Sequence, residues 1–297
     1  MPETNKILTD IKPVLCGYLA EAQAMLNPAA VPNEKVVHDV RVLMKKSRAS
    51  LKLLKPLMDE PSFTREYLTF REVGRLMRTW RETSVHRKLL KDLRKRFPEL
   101  FSHLKDNEKI NRLLEKPGVI NEPSGEMREA LARIIDLLRR SGFRIRFQTM
   151  EIHDHNLILT ELEKTFDRVS ECFLKARNYP KNKNIHEFRK KTKDFLYQLF
   201  FFRPLDPRAI RNLEKRLESL GQNLGKYNDY AVLIVTLGYK YPSGENSSAI
   251  DDLALLVRQE QDKSLMKIWP AAYRIFRPGK KLANLPGFRT YEFPVVF

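Results

Sequence analysis

Residues 37–56 read VHDVRVLMKKSRASLKLLKP. On a helix turning about 100° per residue, His38, Arg41, Lys45, Arg48 and Lys52 step by three and four and share an arc of roughly 80°. Val37, Val40, Met44, Leu51 and Leu54 lie to one side of this column, and Val42, Ala49 and Leu53 to the other. An ordinary surface helix has one apolar stripe and one broad polar face. Apolar residues on both flanks of a charged column predict instead that the column lines a groove. Cations at i,i+4 repel one another, and partial burial raises the cost of each. The pattern therefore asks for an anion in the groove.

The pattern returns later in the chain. Residues 185–193 read IHEFRKKTK, with His186, Arg189 and Lys193 at i, i+3 and i+7. Ile185, Phe188, Thr192, Phe195 and Leu199 form the apolar side of this second helix. The offset from His38 to His186 is 148 residues. Further on, GRLMRTWRETSV from Gly74 matches GQNLGKYNDYAV from Gly221 at an offset of 147. Upstream, Leu8-Thr9-Asp10-Ile11 resembles Leu159-Thr160-Glu161-Leu162 at an offset of 151. These anchors predict a duplicated unit of roughly 145 residues, far too long for a solenoid repeat.

A chain of 297 residues can hold one or two domains and bury a substantial core. Its 55 Lys and Arg against 37 Asp and Glu give a formal net charge of +18. That balance favours polyanionic partners such as nucleic acid, anionic lipid or phosphate polymers, and it says nothing about fold. Cys16 and Cys172 stand far apart without metal-ligand spacing and are expected as buried thiols in a reducing compartment. The opening MPETNKILTDIK lacks a basic segment followed by an apolar one, and the apolar run near 230–239 is too short to span a bilayer. The expectation is a cytoplasmic, soluble protein with no membrane segment.

Helical spacing predicts a first helix over 5–27, weakened by Pro13 and Gly17. A second starts at an Asn33 cap and ends near Lys55-Pro56. One long basic helix follows over 62–97 with Ser62 as its N-cap, and another covers 100–115. Residues 116–125 read as a loop and 126–141 as an amphipathic helix. Phe143 to Phe147 alternates like a strand, but no partner strand is evident, so a connecting segment is expected. The second half repeats the plan, with helices over 154–177, 185–203, 207–237 and 249–276, the last bent at Pro270. An aromatic tail, 281–297, is expected to pack on the body. The fold class is all-α, with two antiparallel four-helix bundles related by a pseudo-twofold axis.

At this point the residues resemble a known family. A His-x-x-Arg-Val-x-x-Lys-Lys-x-Arg helix, followed by a glycine-containing helix and given twice, is similar to the CHAD family, the conserved histidine α-helical domain. His38, Arg41, Val42, Lys45, Lys46 and Arg48 carry the first match, with Arg71, Arg75, Arg81 and Glu82 behind them. His186, Arg189, Lys193 and Tyr197 carry the second, with Leu224, Gly225, Asn228 and Asp229. The resemblance spans roughly residues 5 to 280. It implies a single domain over 1–297, with repeats at about 5–148 and 153–280, and a basic channel between two bundles that binds inorganic polyphosphate.

The expected polyphosphate ligands are His38, Arg41, Lys45, Lys46, Arg48, Lys52, Arg71, Arg75, Arg78 and Arg81 from the first repeat. The second supplies His186, Arg189, Lys190, Lys193, Lys215 and Lys226. One departure from even-handed symmetry is visible: Arg71, Arg75, Arg78 and Arg81 become Glu218, Gln222, Gly225 and Asn228. The basic wall is therefore lopsided, with Lys215 and Lys226 as partial compensation. No cofactor and no metal are expected. Polyphosphate granules and their proteins are implied as the setting.

Other features read as structural. The run from Arg87 to Arg96 is a solvated helix face in preference to an extension of the track. His153-Asp154-His155 invites a metal, but i and i+2 diverge on a helix and no further ligands cluster nearby. Glu161-Leu162-Glu163-Lys164 fits a helix surface better than a phosphate-chain hydrolase signature. No Walker glycine loop, Ser-His-Asp arrangement or His-Glu-x-x-His is present. The expected function is non-catalytic capture of polyphosphate. Its rivals are a nucleic-acid binder, for which no known motif is found, a polyphosphate-hydrolysing enzyme or its accessory, and a scaffold at granules.

Overall fold

The computed structural model describes residues 11–78, 82–115, 124–150, 156–238 and 249–289, with backbone alone for 82–85. Eleven α-helices and no strands occur among the described residues. In chain order they are α1 (Ile11–Ala24), α2 (Glu34–Leu53), α3 (Glu60–Leu76), α4 (Glu82–Arg96), α5 (Pro98–Ser102), α6 (Glu108–Leu114), α7 (Gly125–Phe147), α8 (Asn156–Asn178), α9 (Asn182–Leu199), α10 (Pro207–Leu237) and α11 (Ala249–Phe276). The all-α class read from the sequence holds.

Two rings of four helices result. In the first, α1 packs on α2 and α7, and α3 closes the ring by packing on the same two. In the second, α9 and α11 each pack on both α8 and α10. The rings meet where α2 lies against α9, with a lesser contact between α2 and α8. One continuous apolar core runs through both, from Leu15, Val40 and Phe70 to Phe166, Phe195 and Phe276. Phe276 ties α11 to its neighbours, with ring centres 5.6 Å from Phe166, 6.0 Å from Phe188 and 6.3 Å from Phe195. Burial of one such ring stabilises the fold by about 1.5–3 kcal/mol.

Each ring also buries a carboxylate, and the two lie 148 positions apart. Glu66 of α3 is fully buried and accepts from Ser141 Oγ, from Arg144 and, at 3.0 Å, from Arg65. Glu214 of α10 is buried against Arg203, whose Nε donates at 2.9 and 3.0 Å. A buried charge is tolerable only when paired in this way.

A second, smaller core lies outside the rings. Leu90 and Leu93 of α4, Phe101, Leu104 and Ile110 pack on Tyr230, Leu233 and Leu237 of α10 and on Leu253 and Val257 of α11. The 31-residue α10 and 28-residue α11 are long enough to project past the ring, and α4–α6 cover the projection. A segment that belongs in sequence to the first half thus packs on the second.

This packing corrects the long helix expected over 62–97. The helix stops at Leu76 because α3 serves the first ring while Leu90 and Leu93 are claimed by the α10–α11 projection. Its N-cap is Asp59, not Ser62: Asp59 Oδ1 accepts from the Ser62 backbone N–H at 2.8 Å. The helix expected over 100–115 is two short ones, α5 and α6. Phe143 to Phe147 is the end of α7, not a connector. Ser141 and Ile145 point inward four residues apart, while Phe143 and Phe147, also four apart, are exposed with ring centres 4.6 Å from each other. Helical spacing over so short a window mimics alternation. Cys16 and Cys172 are free thiols, half-buried instead of buried. Burial raises both thiol pKa values, which keeps them protonated.

Candidate functional site

The expected N-cap of α2 is present, with Asn33 Oδ1 accepting from Val36 N–H at 2.9 Å. Along the helix, Val37, Val40, Met44, Leu51 and Leu54 are buried on one flank, and Ala49 and Leu53 on the other. Between the flanks, Arg41, Lys45, Arg48 and Lys52 are half-buried, and His38 at the N-terminal end is exposed. The charged column therefore sits between two apolar contacts, as its sequence requires. Arg48 Nε is buried and has no hydrogen-bond acceptor among the described residues.

α2 and α9 cross through their C-terminal halves. Gln198 Nε2 donates to the Ala49 carbonyl at 3.0 Å, and Lys52 pairs with Asp194 at 2.5 Å. Numbers rise along α2 as they fall along α9, so the helices run antiparallel where they touch. His38 and His186 lie at opposite far ends, each about 16 Å from the crossing at 1.5 Å per residue. The structure does not bring the two histidines together.

The α9 column beds into α10 as a ladder. His186 Nδ1 and Asn228 Oδ1 are 2.9 Å apart, which places the ring proton on Nδ1. Next, a Cβ on Gly225 would stand 3.6 Å from Arg189 Nη2 and 3.8 Å from its Nε. One turn further, a Cβ on Gly221 would stand 3.0 Å from Lys193 Cε and 3.3 Å from Nζ. Two glycines four apart thus form a notch in which an arginine and a lysine lie side by side. Arg189 Nε is buried without an acceptor among the described residues.

Electrostatics mark the same spot. Burial first, and then the Arg189 guanidinium, push the Lys193 ammonium below the usual lysine range, opposed by Glu218. Lys193 Nζ also stands 5.9 Å from the Tyr197 ring centre. Burial raises the Tyr197 pKa against the pull of Arg189, so its hydroxyl stays a donor. Such an arrangement presents guanidinium, ammonium and phenol donors to an anion with little internal charge compensation.

Residues 15–238 match the family model of the CHAD domain. The chain belongs to the CHAD family. No match was found among curated proteins.

Within this CHAD domain the remaining expected residues fall into distinct places. Lys46 leaves the column and stands over the Tyr18 ring at 5.4 Å. Lys52 belongs to the column but already has a carboxylate partner in Asp194. Arg71 and Arg75 of α3, and Arg78 just past its C-terminal end, are exposed beside buried Phe70, Val73 and Met77. Arg81 lies outside the described residues. His38, Arg41, Lys45 and Arg78 each have a polar or electrostatic neighbour. Lys190 is an exposed surface residue paired with Glu187 at 2.8 Å, whose carboxyl it holds below the usual range. Lys215 is exposed on α10. Lys226 lines a separate cavity of ≈ 330 Å³ with Arg96, Tyr230 and Lys263, so it does not join the ladder.

Several contributors were not among the expected ligands: Gly221, Gly225 and Asn228 seat the α9 column, and Tyr197 extends it. Two glycines in a helix interior, where each costs about 1 kcal/mol relative to alanine, are the signal that could have identified the seat. In the basic run of α4, Arg87 and Lys88 bind Glu34 at 2.9 and 3.2 Å, and Arg96 binds Glu260 at 2.6 Å. Those ends fix α4 in place, while Lys91, Arg94 and Lys95 are exposed. His153-Asp154-His155 lies outside the described residues. Among the described residues, no three His, Cys, Asp or Glu side chains group as metal ligands, and no helix is long and apolar enough to cross a membrane.

Proposed function

We propose that this CHAD domain is a non-catalytic binding module for inorganic polyphosphate, held along the columns of α2 and α9. One observation carries the reading. Each His helix has a half-buried arginine, Arg48 or Arg189, whose Nε–H is buried without an acceptor among the described residues. Leaving a buried donor unmade costs about 1–3 kcal/mol, which a phosphate oxygen would recover. Guanidinium groups suit that acceptor, and Lys45 and Lys193 add less directional charge. A linear polymer with one negative charge per phosphate can pass both columns without any sequence readout.

The crossing supports a duplicated single domain with a pseudo-twofold axis. If each residue of α2 corresponds to the one 148 positions later, the self-equivalent pair is Ala49 with Tyr197. The observed contact joins Ala49 to Gln198, the next residue. Glu66 and Glu214 keep the same offset. Under this reading the columns are two arms of one track running outward from the crossing to His38 and His186. A cytoplasmic site of action at polyphosphate granules and their proteins follows from the same reading.

Calorimetric titration with long-chain polyphosphate and with single-stranded DNA of matched charge, at two salt concentrations, tests it. Tight polyphosphate binding that survives the higher salt and falls in Arg41→Ala and Arg189→Ala is expected. Equal, salt-fragile binding to both polymers would favour a generic basic surface or a nucleic-acid function. Release of phosphate from the polymer with a divalent metal present would favour the enzyme.

A further inference from the structure

A second concentration of positive charge lies away from the groove. A cavity of ≈ 740 Å³ is lined by Arg216 of α10 and by Arg277, Lys280 and Arg289 from the segment after α11. Among the described residues, neither a carboxylate nor an aromatic ring lines it. Arg216 precedes Gly225 by nine residues, a rotation of about 180° on the helix, so it faces away from the ladder. The two sites are therefore on opposite sides of α10.

Helix chemistry explains only part of this cluster. Lys280 Nζ donates to the Arg274 carbonyl at 2.9 Å, and a cation near the C-terminal end of α11 is favourable there. Arg216 comes from the interior of another helix and Arg289 from beyond the next turn, so the end of α11 accounts for neither. Lys280 is pushed below the usual lysine range by burial and then by Arg277, Arg216 and Arg289, all of them cations. Asp206, a carboxylate lining an adjoining cavity, is engaged as the N-cap of α10, accepting from Ala209 N–H at 2.9 Å. Four cations converge here, and no counter-ion among the described residues lines the cavity.

We propose that Arg216, Arg277, Lys280 and Arg289 form a second anion site that takes a compact, multiply charged phosphate such as triphosphate. The cavity is within the size range of small-molecule sites. Three guanidinium groups match phosphate oxygens in fork geometry. The described residues offer no aromatic side chain there to stack a base, so their chemistry suits phosphate groups alone. Arg216 lies within the residues matched to the CHAD model, and Arg277, Lys280 and Arg289 lie beyond them. The site does not depend on the groove reading.

Titration of the full chain with tripolyphosphate, and with citrate as a non-phosphate trianion, tests the site. Wild-type protein, Arg216→Ser/Arg277→Ser and Arg189→Ala are compared by calorimetry. A binding event lost by about tenfold or more in the double variant, unchanged in Arg189→Ala and much weaker for citrate, is expected. Undiminished binding in the double variant overturns the proposal. Loss in Arg189→Ala alone would assign short phosphates to the groove and overturn this site while leaving the groove reading intact. Equal citrate binding would reduce the cluster to an exposed cationic patch. Both arginines are exposed, so the double variant should melt as wild type does; if it does not fold, Arg289→Ser provides the same comparison.

Discussion

The guanidinium of Arg189 lies across Gly225, 3.6 Å from where a Cβ would stand, and that gap is what lets α9 keep a charged column against α10. At that distance an alanine methyl makes ordinary contact, and it relieves the glycine penalty of about 1 kcal/mol in a helix interior. Gly225→Ala should therefore raise thermal stability slightly and leave polyphosphate affinity nearly unchanged. Gly225→Leu should push Arg189 aside and weaken polyphosphate binding by about tenfold while the protein remains folded. Melting curves and calorimetry on the two variants separate these effects. Full affinity in the leucine variant would mean that Arg189 is not a ligand.

Lys193 supplies a pH signature. Its folded-state pKa lies below the ordinary lysine value of 10.5 through burial and Arg189. Between the depressed value and 10.5 the unfolded chain binds more protons, so this lysine makes the free protein more stable as pH rises through that window. An anion favours the charged form, so affinity should fall over the same window. Lys193→Arg, which stays charged, should flatten the affinity profile in alkaline titrations that approach the ordinary lysine value of 10.5 from below. An unchanged alkaline loss of affinity in that variant would place the titrating group elsewhere.

The all-α fold and the α2 column were legible because their signals are local. Period-3.6 spacing identifies helices, and apolar residues on both sides of His38 to Lys52 announce two-sided packing, which Val40 and Ala49 fulfil. What the sequence hid depends on long-range pairing. Nothing in the run from Glu82 to Arg96 says that Leu90 and Leu93 pack on the other half of the chain. Nothing in Lys226 says that it turns from α9 toward Arg96 and Lys263. Lys46 illustrates the limit of a motif match: it is adjacent to Lys45 in sequence, yet about 100° of helical rotation sends it to Tyr18.

The crossing offers a variant with opposite effects on stability and binding. Asp194 holds Lys52 across the α2–α9 contact, with both side chains about one-fifth exposed. Asp194→Asn should cost roughly 1 kcal/mol of stability, since the pair is partly solvated. It should also strengthen polyphosphate binding several-fold, because Lys52 is released and a negative charge leaves the track. Chemical denaturation and calorimetry give the two readouts. Weaker binding in Asp194→Asn would show that the carboxylate positions Lys52 for the ligand instead of competing with it.

The two buried glutamates distinguish the rings energetically. Glu66 serves Ser141, Arg144 and Arg65, so Glu66→Gln leaves a buried hydroxyl and two guanidinium groups short of an ionised acceptor. Glu214 serves Arg203 alone among the described residues, and that guanidinium is more than one-third exposed. Water can replace much of what Arg203 loses, whereas Ser141 is fully buried. Glu66→Gln should therefore cost about 2–3 kcal/mol in urea unfolding and Glu214→Gln about 1 kcal/mol, discounted for the exposed arginines. Neither substitution touches the α9 ladder, so polyphosphate affinity of the folded protein should hold in both. A larger loss for Glu214→Gln would mean that the second ring, with its phenylalanine cluster, relies on the Arg203 link to fix the end of α9, and that equivalent positions in the two halves carry unequal loads.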